Sequence, residues 1–223
     1  MSQSHVNIFV AELVGTFGLV TAATGSIVYD GSLDFSLGIG FVAAMHFLGL
    51  FLLIFVFGRY SMAHFNPAVT IGFAISGYLK PRLIPLYLAA QMIGAVSGSL
   101  FVKYTLGNFA KLGLNAPSHS YALLEVFGVE ILATIFLMGG ILLIINIKKN
   151  PIVVSVVVGG IVALDVFFFG PISGASMNPI RSFAPAVITG IYDDLWLYWA
   201  APFLGSIIPG VIFTKLLKPK MYE

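Results

Sequence analysis

Two tripeptides, Asn66-Pro67-Ala68 and Asn178-Pro179-Ile180, stand 112 residues apart, each between apolar stretches. Proline at a first helical position starts a helix, because its missing N–H had no partner there and its φ is already helical. The asparagine before it can cap that helix, and its side-chain amide keeps donors for a passing solute. Two such starts inside a bilayer would aim positive dipole ends and spare amide donors inward. That arrangement builds a polar lane through hydrocarbon without a charge at its centre. A single Asn-Pro would read as a plain cap, but its duplication favours solute contact. Arg181 lies one residue beyond the second motif. Arginine at mid-depth costs at least ~2.5–3.5 kcal/mol, so it lines water or pairs. No acid is adjacent to claim it, which favours a pore-lining donor that repels cations.

The acids tell a second story. Glu12 and Glu130 recur in matching surroundings, Glu12 with Thr16-Phe17 and Glu130 with Thr134-Ile135. They could relay protons. The reading preferred here is two buried carboxylates that accept N–H groups from irregular backbone, which must be satisfied inside a membrane. Asp165 has no counterpart in the first half, and either a pairing or a protonated carboxyl is open to it. His5, His46, His64 and His119 are scattered singly, and no catalytic or metal-ligand spacing appears. Neither an enzyme nor a cofactor or metal site is expected. The chain has no cysteine.

The elements that must position these residues are membrane spans. Of 223 residues, 59% are hydrophobic and 9% charged, against roughly 25% charged in soluble domains. Mean hydropathy is +1.01. Net charge is +2, without a basic, aromatic-laced cluster, so nucleic acid is not an expected partner. Six stretches are long enough to cross ~30 Å of hydrocarbon: residues 6–29, 37–57, 83–106, 121–147, 151–170 and 195–217. Residues 67–77 and 179–190 are apolar but too short, and are expected to be re-entrant. Without a basic n-region, the first stretch is expected to be a span and not a cleaved signal. Arg59, Lys80, Arg82, Lys148, Lys149, Lys215, Lys218 and Lys220 would fall on one side, Lys103 and Lys111 on the other. That asymmetry predicts both termini in the cytoplasm. The short tails suggest a cell membrane.

The chain reads as one domain, residues 1–223, with a first repeat over 1–110 and a second over 120–223. Gln91-Met92-Ile93-Gly94 and Pro202-Phe203-Leu204-Gly205 hold matching places in the two. Three spans per copy invert the second, which sets a shared site at the midplane. Gly25, Gly94, Gly98, Gly159, Gly160 and Gly205 are expected at close helix contacts.

These motifs carry a family resemblance. The doubled Asn-Pro, the opening AELVGTF (11–17), QMIGAVSG (91–98) and NPIRSFAPAV (178–187) resemble the aquaporin, or major intrinsic protein, family over the whole chain. The resemblance implies an all-α membrane fold of six transmembrane helices plus two re-entrant half-helices in an inverted 3+3 repeat. It also implies a pore in each subunit of a homotetramer held in lipid. Ile180 stands where the family usually has alanine, and is expected near the junction of the half-helices, where it would perturb their contact. Counting from the two asparagines, the family's selectivity filter maps to His46 (or, with a one-residue shift, Phe47), Val166, Ala175 and Arg181. That set is similar to the filters of plant tonoplast intrinsic proteins, several of which pass ammonia as well as water. Ala116-Pro117-Ser118-His119-Ser120 resembles a loop of the same proteins whose histidine reaches the filter, so His119 joins the candidates. Ser182, Ala186 and Tyr198-Trp199 differ from the glycerol-facilitator pattern. The resemblance thus implies a passive channel for water, with ammonia as second solute, closed to protons and ions. The rivals are a glycerol-type facilitator and a proton-coupled transporter using Glu12, Glu130 and Asp165.

Overall fold

The computed structural model describes residues 4–147 and 150–217. Lys148, Lys149, Lys218 and Lys220, which entered the charge count, lie outside the described residues. The order is α1 (His5–Ser32), α2 (Gly38–Ser61), α3 (Pro67–Ile75), a 3-10 turn (Pro81–Leu83) leading into α4 (Ile84–Leu106), the single turn α5 (Ala110–Gly113), α6 (Leu123–Ile147), α7 (Pro151–Ser173), α8 (Pro179–Thr189) and α9 (Leu197–Leu217). Six of these helices are long and apolar enough to cross a membrane, with mean hydropathies from 1.5 to 2.6. The 9-residue α3 and 11-residue α8 are not. At 1.5 Å per residue each reaches only about half of ~30 Å. The protein is an integral membrane protein of helices.

Helix ends follow local chemistry. Ser4 caps α1 by accepting from Val6 N, and Asn150 accepts from Ile152 N at 2.9 Å ahead of Pro151. Asp30 folds the short link to α2: its Oδ1 accepts from Leu37 N at 2.9 Å and Gly38 N at 3.2 Å. Helix α1 packs on α4 and α2, α2 on α7, and α6 on α9 and α7; α3 leans on α9, and α8 on α4. The closest approaches need glycine. A Cβ on Gly94 would sit 2.3 Å from Leu13 O, and one on Gly205 2.6 Å from Ile131 O. Gly98 and Gly159 also meet backbone, whereas Gly25 has ordinary van der Waals spacing and Gly160 faces open space, so neither of those two requires glycine for a close approach. Phe55, Phe167 and Phe168 are exposed on the bundle, where lipid or a neighbour would cover them.

Candidate functional site

The two short helices meet tip to tip. Asn66 Oδ1 accepts from Ala68 N at 2.8 Å, and Asn178 Oδ1 from Ile180 N at 3.2 Å, so both asparagines cap the helices that Pro67 and Pro179 begin. Their amide nitrogens cross between the arms: Asn66 Nδ2 donates to Met177 O at 2.8 Å, and Asn178 Nδ2 to Phe65 O at 3.0 Å. An amide nitrogen has two hydrogens. One on each is spent on this crossed pair, and one is left. Phe65 and Met177 hold positive φ, 49° and 52°, which turns their carbonyls toward the opposite arm.

Behind the tips, one carboxylate gathers each arm. Glu12 accepts from Ser61 Oγ (2.6 Å), His64 N (2.9 Å), Phe65 N (2.8 Å) and Gln91 Nε2 (2.8 Å). Glu130 accepts from Ser173 Oγ (2.7 Å), Ser176 N (2.9 Å) and Met177 N (3.0 Å). Both acids are fully buried. This is the scaffold reading of the pair, with irregular backbone satisfied from within. Two tyrosines repeat it: Tyr87 Oη donates to Ser61 O and Tyr198 Oη to Ser173 O, both at 2.7 Å.

Ile180 is displaced from where the sequence suggested. Its side chain is fully buried with Val20, Ala95 and Ala184, in a pocket between α1, α4 and α8. It does not enter the junction, because a side chain at the second helical position points outward from the cap. The crossed amide bonds form beside it undisturbed.

A cavity of about 50 Å³ runs beside the junction. A void needs roughly 10–15 Å³ of such volume to hold a water, so a few fit in file. Its polar lining includes His46, His64, Asn66, Ser176, Asn178 and Arg181; Leu19, Leu50, Ile54, Val158 and Val162 make an apolar wall. His46 Nδ1 lies 2.8 Å from Val42 O. A carbonyl only accepts, so Nδ1 carries the hydrogen and Nε2 keeps a lone pair. Phe47 instead stacks on Phe51 and brings its carbonyl against Gly159 of α7. Ala175 lines the cavity; Val166 is buried but not on its wall, where Val162 stands one turn earlier. His119 is exposed on the 116–120 turn and is not among the residues lining this cavity. Ser118 N donates to Ile172 O, which pins that turn to the end of α7.

The same loop reaches Arg181 through Gly113 and Asn115, which no motif marks. Arg181 is buried, and its Nη1 donates to Gly113 O at 2.7 Å and to Asn115 Oδ1. His64, isolated among the histidines in sequence, is firmly held in the fold. Its ring stacks between Phe73 and Tyr87 at 4.4 and 4.5 Å, with Nδ1 3.1 Å from Thr70 Oγ1. Its position two residues before Asn66 was the available signal. Asp165 is buried on α7, and no hydrogen bond reaches its Oδ2 among the described residues. Nor do three of His, Asp and Glu converge there as a metal would require.

Six spans, two opposed helix starts and a narrow cavity with one polar side define a membrane channel, not an enzyme. The chain belongs to the major intrinsic protein family, whose description matches residues 1–213. It is 30% identical to the probable aquaporin TIP2-2 of Oryza sativa subsp. japonica, over 95% of this chain and 88% of that one. It is 34% identical to aquaporin NIP3-1 of Arabidopsis thaliana, over 93% and 66%. The X-ray structure of the aquaglyceroporin from Plasmodium falciparum superposes with a TM-score of 0.88 at 25% identity, covering 96% of this chain and 97% of that one. The fold is the aquaporin fold.

Proposed function

We propose that the protein is a passive channel for water with ammonia as second solute, and that it excludes protons and ions. The crossed-amide junction carries the reading: it leaves one N–H on each of Asn66 and Asn178 beside a cavity already lined by His46 and Arg181. A solute would pass in single file, its hydration replaced by Arg181 at the filter and by the asparagine amides at the midplane. Opposed helix dipoles raise the barrier to cations and protons. Ammonia is favoured by His46, whose Nε2 lone pair suits an N–H donor, and by the small Ala175. Val166 stays in the filter assignment as a residue behind the wall, and His119 stays in it as an exposed loop residue outside this cavity. The apolar wall of Leu19, Leu50, Ile54, Val158 and Val162 supports a second reading, a facilitator for small carbon-bearing solutes of the glycerol type.

The channel reading extends to an inverted repeat of residues 1–110 and 120–223, a homotetramer in lipid, and cytoplasmic termini. A cell membrane is proposed; the TIP-type relatives support a tonoplast-like compartment instead, and imaging of the tagged protein decides between them.

Stopped-flow shrinkage of proteoliposomes tests water, and an internal pH dye under an ammonium gradient tests ammonia. Alkalinisation no faster than in empty liposomes removes ammonia from the proposal. His46→Phe should suppress ammonia more than water; an equal loss of both would deny His46 a filter role. Flux that saturates and collapses with a proton gradient would replace the channel by a coupled transporter.

A further inference from the structure

We infer that Asn115 is a positioning residue for selectivity, holding Arg181 in place with its charge left whole. The inference rests on the channel reading above.

Asn115 is buried on the loop between α5 and α6. Its Oδ1 accepts from Arg181 Nη1 and, at 2.8 Å, from Ser182 Oγ. Its Nδ2 donates to Gly174 O at 2.8 Å. One planar head therefore ties both ends of the 174–182 arm to a loop far away in sequence. Gly113 O, two residues earlier, takes the other Nη1 hydrogen at 2.7 Å. With both hydrogens of one nitrogen committed, the plane of the guanidinium is fixed. The approach is built for this side chain: a Cβ on Gly174, which has φ +82°, would lie 2.8 Å from Asn115 Nδ2.

Both acceptors are neutral. The acid of this arm, Glu130, spends its oxygens on Ser173, Ser176 and Met177. Arg181 is thus oriented without being neutralised by a contacting carboxylate. Few side chains can do both jobs. Aspartate would accept from Arg181 but has no donor for Gly174 O, and would cancel the positive charge. Serine is too short to bridge the two.

The test uses the full chain in liposomes, as wild type, Asn115→Asp and Asn115→Ser. The aspartate should raise sodium and proton leak relative to water flux about tenfold or more, well within the effect of one added charge at an effective dielectric near 20. The serine should free the guanidinium and raise the glycerol-to-water flux ratio roughly threefold or more, since a loosened filter group admits larger solutes. Wild-type leak and wild-type ratio in both variants would overturn the inference. Failure of both to fold would also overturn it, because Asn115 would then serve stability alone. A structure of the serine variant gives a readout independent of flux. A displaced Arg181 sustains the clamp even if the wild type conducts no water, a result that would instead sink the channel reading; an unmoved Arg181 ends the clamp.

Discussion

Replacing Ile180 by alanine restores the residue more usual in this motif, yet the structure predicts a loss of stability with unchanged permeation. The Ile180 side chain is 1% exposed against Val20, Ala95 and Ala184. In soluble cores, Ile→Ala costs about 2–5 kcal/mol, from transfer out of water plus the void left behind. Three carbons at ~0.8 kcal/mol each place about 2.4 kcal/mol in the transfer part. In a bilayer the released side chain meets lipid tails as apolar as its pocket, so that part drops out. What remains is lost dispersion around the void, about 1–2 kcal/mol. Permeation is spared because residue 180 reaches the junction only by its backbone N–H, 3.2 Å from Asn178 Oδ1. The assay is equilibrium unfolding in mixed micelles of rising SDS fraction, paired with stopped-flow water flux from the same preparation. A loss above about 3 kcal/mol would show that the transfer part operates after all. Altered water flux per folded channel would refute the packing argument, since it would put the side chain back at the junction.

The remaining expectations concern the scaffold and the absent thiol. Glu130→Ala strands three donors, Ser173 Oγ, Ser176 N and Met177 N, in the interior; at about 1–3 kcal/mol for each buried unmade bond, a loss of roughly 3–9 kcal/mol and of water flux is expected, and micelle unfolding with near-normal stability would contradict it. With no cysteine in the chain, water flux should be indifferent to mercurials, and strong block by mercuric chloride would reveal a mercury-reactive group other than a thiol.

Much of the fold was legible because its signals are local. Span length follows from apolar run length, and Asn66-Pro67 and Asn178-Pro179 start helices by chemistry confined to two residues. Glu12 and Glu130 were legible as scaffold because irregular backbone at membrane depth needs acceptors. The loop over 107–122 was not legible. Its course depends on left-handed backbone at Ala110, Lys111 and Leu112, residues that rarely adopt it, and on bonds to an arm over 60 positions later. The loop's motif points to a histidine, whereas the bonds to Arg181 come from the carbonyl of Gly113 and the side-chain amide oxygen of Asn115. Ile180 was misplaced for a related reason: which neighbours receive a side chain is decided by how α1 and α4 pack, which no motif records.

The crossed asparagine bonds have a consequence for assembly. The bonds of Glu12 stay within the first three spans and their arm, and those of Glu130 within the later ones. From arm to arm it is the tips that reach across, from Asn66 to Met177 and from Asn178 to Phe65. Each arm can be braced by its own spans, but its last carbonyl and amide find their mates only on the other. A chain with half its spans inserted holds an unfinished tip in hydrocarbon, and the arrival of the second arm completes both at one stroke.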